Sequence, residues 1–320
     1  MHGFLKCFYG FQNLGDEMLF WGVLDYIDTA YGDVDELTVE VDNVAWMEER
    51  WTKNVDMMIQ LKLASGFVSQ KKIIKFTTIS KNILDNFHYD FYFFGGGEVF
   101  AESRGFHGGW NYLFRYLYPI LRKKFILLGG IETATTWRQK LLYKIVLPRA
   151  QRVVTRDHTS FDEVKHYTDK AVHHYDFAIP VVDRYRQNMS GRSLQTFVIT
   201  KPYVIVNIVQ SMSSEELYQK IKIFLTELYP NYTPVYLAGK SINSNDTIFA
   251  QWLEGAYPHL RVFQREEYSL SELLALIDGA SAGFASRLHI LLLLQEFEKP
   301  LYSAVYAEKV KKLITSTIEL

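Results

Sequence analysis

Arg287, Leu288 and His289 set a cation and an imidazole two positions apart at the entrance to an apolar run. A guanidinium binds carboxylate or phosphate oxygens in bidentate fashion, and an imidazole exchanges protons near neutral pH. Such a pair suits an anionic substrate that must gain or lose a proton. The surrounding pattern reads strand, helix, strand. An apolar run ends in small residues, a buried helix is predicted over His289 to Phe297, and Lys299-Pro300 stops it. A second apolar run, Leu301 to Tyr306, then carries Lys309 just past its end. Ligands of open parallel sheets bind beside such turns, outside the carboxyl ends of the strands. The structural alternative is that His289 is simply a hydrogen-bonded core residue.

Other positions able to do chemistry also fall at predicted strand ends. Asn13-Leu14-Gly15-Asp16-Glu17 lies between a short strand, Phe4 to Tyr9, and an apolar-periodic helix starting at Met18. It reads equally as a capped helix start or as a turn facing a ligand. Gly95-Gly96-Gly97-Glu98 follows the apolar run Asp90 to Phe94, and Gly129-Gly130 follows Phe125 to Leu128. Glycines there imply close approach of the backbone to a ligand or a packed helix. Neither run has the spacing of a dinucleotide fingerprint or a P-loop. Arg156 stands between the strand Arg152 to Thr155 and an Asp157, Thr159, Ser160 capping cluster. Its structural reading is an arginine paired to Asp157 or Asp162. His107, His158, His166, His173 and His174 lack such a setting, and His173 with His174 has no third ligand at metal spacing.

The composition narrows the function classes. The 320 residues are long enough for two domains, with 48% hydrophobic and 22% charged residues. A net charge of −1 argues against a general nucleic-acid binder. The single Cys7 excludes an internal disulfide and points to a reducing cytoplasm. No secretory leader is read at the N-terminus, and no apolar stretch reaches the roughly 18 residues of a membrane span. Lys62, Lys71, Lys72, Lys75 and Lys81 alternate with apolar residues. This reads as a solvated helix face, and is also compatible with peripheral contact at the inner face of the membrane.

Strand and helix patterns alternate through both halves of the chain. In the first half, helices are predicted over Val44 to Trp51, Trp110 to Leu121 and Trp137 to Leu147, with strands at Leu37 to Val41 and Val172 to Tyr175. Asp183 to Lys201 is polar and reads as the linker. The second half runs from the strand Tyr203 to Val209 through a helix, Ser213 to Leu228, to a helix at Leu270 to Ile277. The expected architecture is α/β, with two Rossmann-like domains, residues 1–185 and 186–320, facing a cleft.

In this order the motifs resemble the polysaccharide pyruvyl transferase family. The matching pieces are YGFQNLGDE, FFGGGEVF, RVVTRDHTSFDEV with HYDFAIP behind it, ASRLHILLLL, and the segment Tyr306 to Lys309. The resemblance spans nearly the whole chain and departs from the pattern at Gly129-Gly130-Ile131-Glu132-Thr133. It implies a fold similar to the GT-B glycosyltransferases, with an acceptor side in the N-terminal domain and a donor side in the C-terminal one. The implied reaction moves pyruvate from phosphoenolpyruvate, a co-substrate with no further cofactor, onto two hydroxyls of a sugar as a cyclic ketal. The acceptor is a sugar of a surface polysaccharide, such as capsule or exopolysaccharide, or of its lipid-linked precursor. Carried over residue by residue, His289 is the catalytic histidine and Arg156 and Arg287 bind the donor. Leu288 adds a backbone contact. Lys309 either meets the donor phosphate or ends a helix at the surface. Asn13, Asp16, Glu17, Gly95, Gly96, Gly97 and Glu98 are the cleft and acceptor candidates. The alternatives are a GT-B-type glycosyltransferase using a nucleotide sugar, and a glycan-binding protein on a degenerate transferase fold.

Overall fold

The computed structural model describes residues 1–6, 9–10, 13–78, 88–102, 105, 109–189, 199, 202–208, 215–238, 246–303, 314 and 318. The chain forms two compact units. The first comprises Met1–Phe11 and Asp16–Val181, the second Gln12–Gly15 and Val182–Leu320. The sequence-based boundary at residue 185 falls inside a helix, Ile179–Asn188, so the expected linker begins with regular structure. Among the described residues no helix is long and apolar enough to cross a membrane.

Seven strands build the sheet of the first unit: β1 His2–Lys6, β2 Glu36–Val41, β3 Ile73–Thr78, β4 Phe91–Phe100, β5 Phe125–Ile131, β6 Arg152–Thr155 and β7 Ala171–His173. Every pairing is parallel, and the order is β3-β2-β1-β4-β5-β6-β7. Strands covered on both faces have no polar side, which is why Phe91–Phe94 and Phe125–Leu128 are unbroken apolar runs. The chain reverses direction across the sheet between β1 and β4. That is the topological switch point, where open α/β sheets bind ligands.

Three sequence expectations change in this unit. The glycines after Phe94 do not end the strand. β4 continues through them, pairing Glu98 with Gly130 and Phe100 with Ile131 across two register shifts. Gly95 and Gly129 have φ of +131° and +122°, and a Cβ on Gly129 would lie 3.2 Å from the Gly97 carbonyl carbon. These glycines let neighbouring strands approach, so the close partner is the adjacent backbone and not a packed helix. The lysine-apolar alternation near residue 75 is edge strand β3, with period two, and not a helix face. Lys75 pairs with Glu36 at 2.6 Å and Lys72 with Asp28 at 2.9 Å. Lysines are a common guard on an exposed edge. Lys81 lies outside the described residues. The predicted helix over Trp110 to Leu121 is two, Trp110–Arg115 and Leu117–Arg122. Pro119 has no N–H to give the Arg115 carbonyl, so the helix restarts at Tyr116.

The second unit repeats the plan with β8 Tyr203–Asn207, β9 Thr233–Ala238, β10 Arg261–Gln264, β11 Gly283–Ala285 and β12 Leu301–Ser303. The order is β10-β9-β8-β11-β12, again wholly parallel. Relabelled from its own first strand, this is 3-2-1-4-5, so the switch point lies between β8 and β11. The helix expected from Ser213 begins, as described, at Glu215, and Ser213 itself lies outside the described residues. Leu270–Asp278 opens with a reciprocal cap between Ser269 and Glu272. Helix Leu288–Glu296 buries Leu288 and the run Ile290 to Leu294. A helix apolar all round must be enclosed, which fixes where its N-terminus emerges.

Candidate active site

In the second unit the switch point is built from the last residues of β8 and the turn after β11. Asn207 ends β8 and is wholly buried. Its Nδ2 donates to the Leu237 carbonyl on β9 at 2.7 Å, and its Oδ1 accepts the Arg287 amide at 3.3 Å. The Ser286 amide donates to the Asn207 carbonyl at 2.9 Å. One side chain therefore ties three strand ends together and orients the backbone that presents Arg287. The sequence reading missed Asn207. The signal was a polar residue closing the apolar strand Tyr-Val-Ile-Val-Asn.

Arg287 occupies the N-cap position of helix Leu288–Glu296, with φ −77° and ψ 129°, and no side chain caps that end. Short polar residues are the usual choice there. An arginine forgoes that bond and puts a guanidinium beside the positive end of a helix, a combination that favours an anion. Leu288 is buried, while Arg287 and His289 are each partly exposed. The Nε2 of His289 is withdrawn from solvent.

The other wall of the imidazole comes from Asn13 to Gly15. The Gly15 amide donates to Asn13 Oδ1 at 3.1 Å, closing a local turn at the start of helix Leu14–Ala30. A Cβ on Gly15 would stand 2.6 Å from His289 Cγ and 2.8 Å from Cε1, and closer still to Nδ1. Its backbone is not left-handed, so glycine is required here for space. The ring lies against a surface that only a glycine provides. The capping reading of Asn13 to Glu17 therefore holds. Asn13 caps, and Gly15 receives the histidine.

The remaining candidates belong to the first unit. Arg156 is buried, with Nη1 3.5 Å from Asp176 and Nε 3.9 Å from Asp157. Asp157 also caps the following helix, accepting the Ser160 amide at 2.8 Å. The pairing with Asp157 is thus realised, Asp176 replaces Asp162 as the second acid, and the guanidinium lies against Gly130. Glu17 is buried and accepts from Arg50 at 3.3 Å and from Asn54. Gly96 covers the Tyr9 hydroxyl, which donates to the Gly95 carbonyl at 2.8 Å. Asp16, Gly97 and Glu98 are partly exposed. Lys309 lies outside the described residues. His158 and His173 stack at 4.0 Å, and among the described residues no cluster of three metal-ligating side chains occurs.

A family profile described as polysaccharide pyruvyl transferase matches residues 13–293. No curated protein matches the chain significantly. Among solved structures it is similar to the UDP-GlcNAc 2-epimerase of Neisseria meningitidis bound to UDP-GlcNAc. The TM-score is 0.62 at 12% identity, over 96% of this chain and 83% of that one. It is also similar to the UDP-GlcNAc 2-epimerase of Methanocaldococcus jannaschii, with TM-score 0.60 at 10% identity, over 100% of this chain and 89% of the other. At such identity the likeness is one of fold: α/β with two parallel sheets, of the GT-B kind.

Proposed function

The chain belongs to the polysaccharide pyruvyl transferase family, and on that premise we propose that it forms a cyclic pyruvate ketal on a sugar, with phosphoenolpyruvate as donor. The observation that carries the reading is the placement of Arg287-Leu288-His289 at the β8/β11 switch point, with Gly15 cut away to receive the imidazole.

Phosphoenolpyruvate carries two anionic groups, which a guanidinium and a helix N-terminus can hold. His289 delivers a proton to the enol methylene carbon while one sugar hydroxyl adds to C2. The C2–O bond to phosphate then breaks, and the second hydroxyl closes the ring on C2. Of the two hydroxyl protons, one is accounted for in the new methyl group and one leaves with phosphate, so the reaction balances without an oxidant or metal. General acid catalysis of this kind is worth about two to four powers of ten. Arg287 stabilises the charge that shifts onto the leaving phosphate. The acceptor is a sugar of a surface polysaccharide or its lipid-linked precursor.

Mass spectrometry of candidate glycans incubated with phosphoenolpyruvate tests the reading. A gain of one pyruvate ketal in the wild type, lost in a folded His289→Ala protein, is expected. Full transfer by that variant would remove His289 from the mechanism, and thermal stabilisation by nucleotide sugars alone would favour a glycosyltransferase.

A further inference from the structure

The first unit carries a second feature that the chemistry above does not use. Helices Leu117–Arg122 and Trp137–Val146, with Trp110–Arg115 beside them, bury one face in a shared core of Leu113, Tyr116, Ile120, Leu142, Tyr143 and Val146. Their outer faces are not polar. Phe114, Leu117 and Leu121 are 58%, 45% and 61% exposed, and Trp137 and Leu141 are 69% and 41%. Five of the thirteen large apolar side chains exposed among the described residues thus fall within 28 positions. A soluble surface scatters such residues, so a cluster marks an interaction face.

The charges around these helices are predominantly basic, with Glu102 and Glu132 as the acids beside them. Arg122, Lys123, Lys124, Arg138, Lys140 and Lys144 are exposed, and Glu132 is the one acid between residues 110 and 149. The whole chain has a net charge of −1, so the basic excess is local. On the second helix, Trp137, Lys140, Leu141 and Lys144 repeat at three- and four-residue spacing, an apolar stripe edged by lysines. A cavity of about 470 Å³ opens between the helices, with Trp110, Phe114, Arg138 and Gln139 in its wall beside Glu102, whose carboxylate is occupied by Thr135 and Thr136. Gln139 is 3% exposed, and its side chain packs beside the Tyr143 hydroxyl. That hydroxyl donates to the Glu132 carbonyl at 2.7 Å.

We propose that this face docks on an anionic phospholipid bilayer. Aromatic and leucine side chains enter the acyl boundary while the lysines and arginines meet headgroup phosphates. Exposed Arg138 offers donors to headgroup oxygens. Charge complementarity selects a bilayer over a second copy of the chain, because two such basic faces would repel. The inference is independent of the donor chemistry, since vesicle binding is read without any reaction.

Co-sedimentation of the full chain with phosphatidylcholine vesicles, with and without phosphatidylglycerol, is the test. Binding is expected only with phosphatidylglycerol and should weaken with salt. Lys140→Glu with Lys144→Glu should lower partition at least about thirtyfold, at roughly one kcal/mol per cation. Trp137→Ser with Leu141→Ser should lower it about tenfold or more. All four positions are exposed, so both proteins should keep the wild-type melting temperature. Lys62→Glu with Lys71→Glu, in the other basic region, should leave binding unchanged. The proposal is overturned if the wild type ignores phosphatidylglycerol, or if the patch variants bind as the wild type does. A wild-type dimer that Trp137→Ser with Leu141→Ser converts to monomer would overturn it too.

Discussion

Gly15→Ala is the sharpest perturbation of the site, because it adds one methyl and removes nothing. That methyl would lie 2.6 Å from His289 Cγ and 2.8 Å from Cε1. Carbon atoms in contact sit about 3.5–4.0 Å apart and Nδ1 is closer still, so the ring must move by at least about 1 Å. The imidazole ends a rotatable side chain and can swing away cheaply. The stability terms are small and opposed. Alanine gains up to about 1 kcal/mol over glycine in a helix, and overpacking costs about 1–3 kcal/mol. The melting temperature should therefore move by only a few degrees. Activity is far more sensitive, since misplacing a reacting group by about 1 Å costs on the order of a hundredfold. Initial rates of ketal formation, read by mass spectrometry beside thermal melts, measure both. Gly32→Ala is the control, because a Cβ there meets nothing within 4 Å. If the loss acts through the ring, Gly15→Ala added to His289→Ala should cost nothing further. A Gly15→Ala enzyme with the wild-type rate would refute the reasoning.

Three further outcomes follow from the geometry. Arg156→Lys keeps a cation between Asp157 and Asp176 but loses the guanidinium fork, so a donor role predicts a higher KM for phosphoenolpyruvate with little change in melting temperature. Arg156→Ala strands two buried carboxylates and should destabilise by about 3–5 kcal/mol, which makes it the wrong probe of binding. Asn207→Ala removes the bond to the Leu237 carbonyl and leaves the Arg287 amide without its acceptor. A destabilisation of about 1–3 kcal/mol is expected, together with a lower kcat, and Asn207→Asp, which keeps the acceptor, should recover part of the rate. For Glu102, burial alone would raise the carboxyl, but hydrogen bonds from Thr136 and Thr135 outweigh it and hold the group below its ordinary value. A depressed carboxyl stabilises the fold above its ordinary range, near 4.3, and that contribution is lost as pH falls through the folded value. Glu102→Gln should therefore lower stability at neutral pH by on the order of 1 kcal/mol, seen as a lower melting temperature, and flatten its decline in acid.

The fold class was legible because both-face burial writes strands as apolar runs. Strand β6 begins and ends where its pattern predicts. Errors came where two periods compete. Lys72 to Lys75 offers too few residues to separate an edge strand from a helix face, and Gly95-Gly96-Gly97 looks like a turn when it is a bulged strand. The site was legible in part. Arg287 and His289 advertise themselves by type. Asn207 and Gly15 do not, because their roles depend on contacts 80 and 274 positions away.

Those glycines carry information about function once their backbones are known. Gly95, Gly96 and Gly129 have positive φ, so the conformation itself asks for glycine and says nothing about a ligand. Gly15 and Gly130 have no such requirement. Each is glycine because a side chain occupies the space a Cβ would take: His289 in one case, and the guanidinium of Arg156, whose Nε would be 2.9 Å away, in the other. Each unit has thus surrendered a side chain to bring one charged or titratable group hard against backbone at the carboxyl end of its sheet. Pairing with two buried acids accounts for the arginine, but packing gives no reason to favour a histidine against Gly15, since an apolar residue would fill that place at lower desolvation cost. Chemistry on an anion does give one.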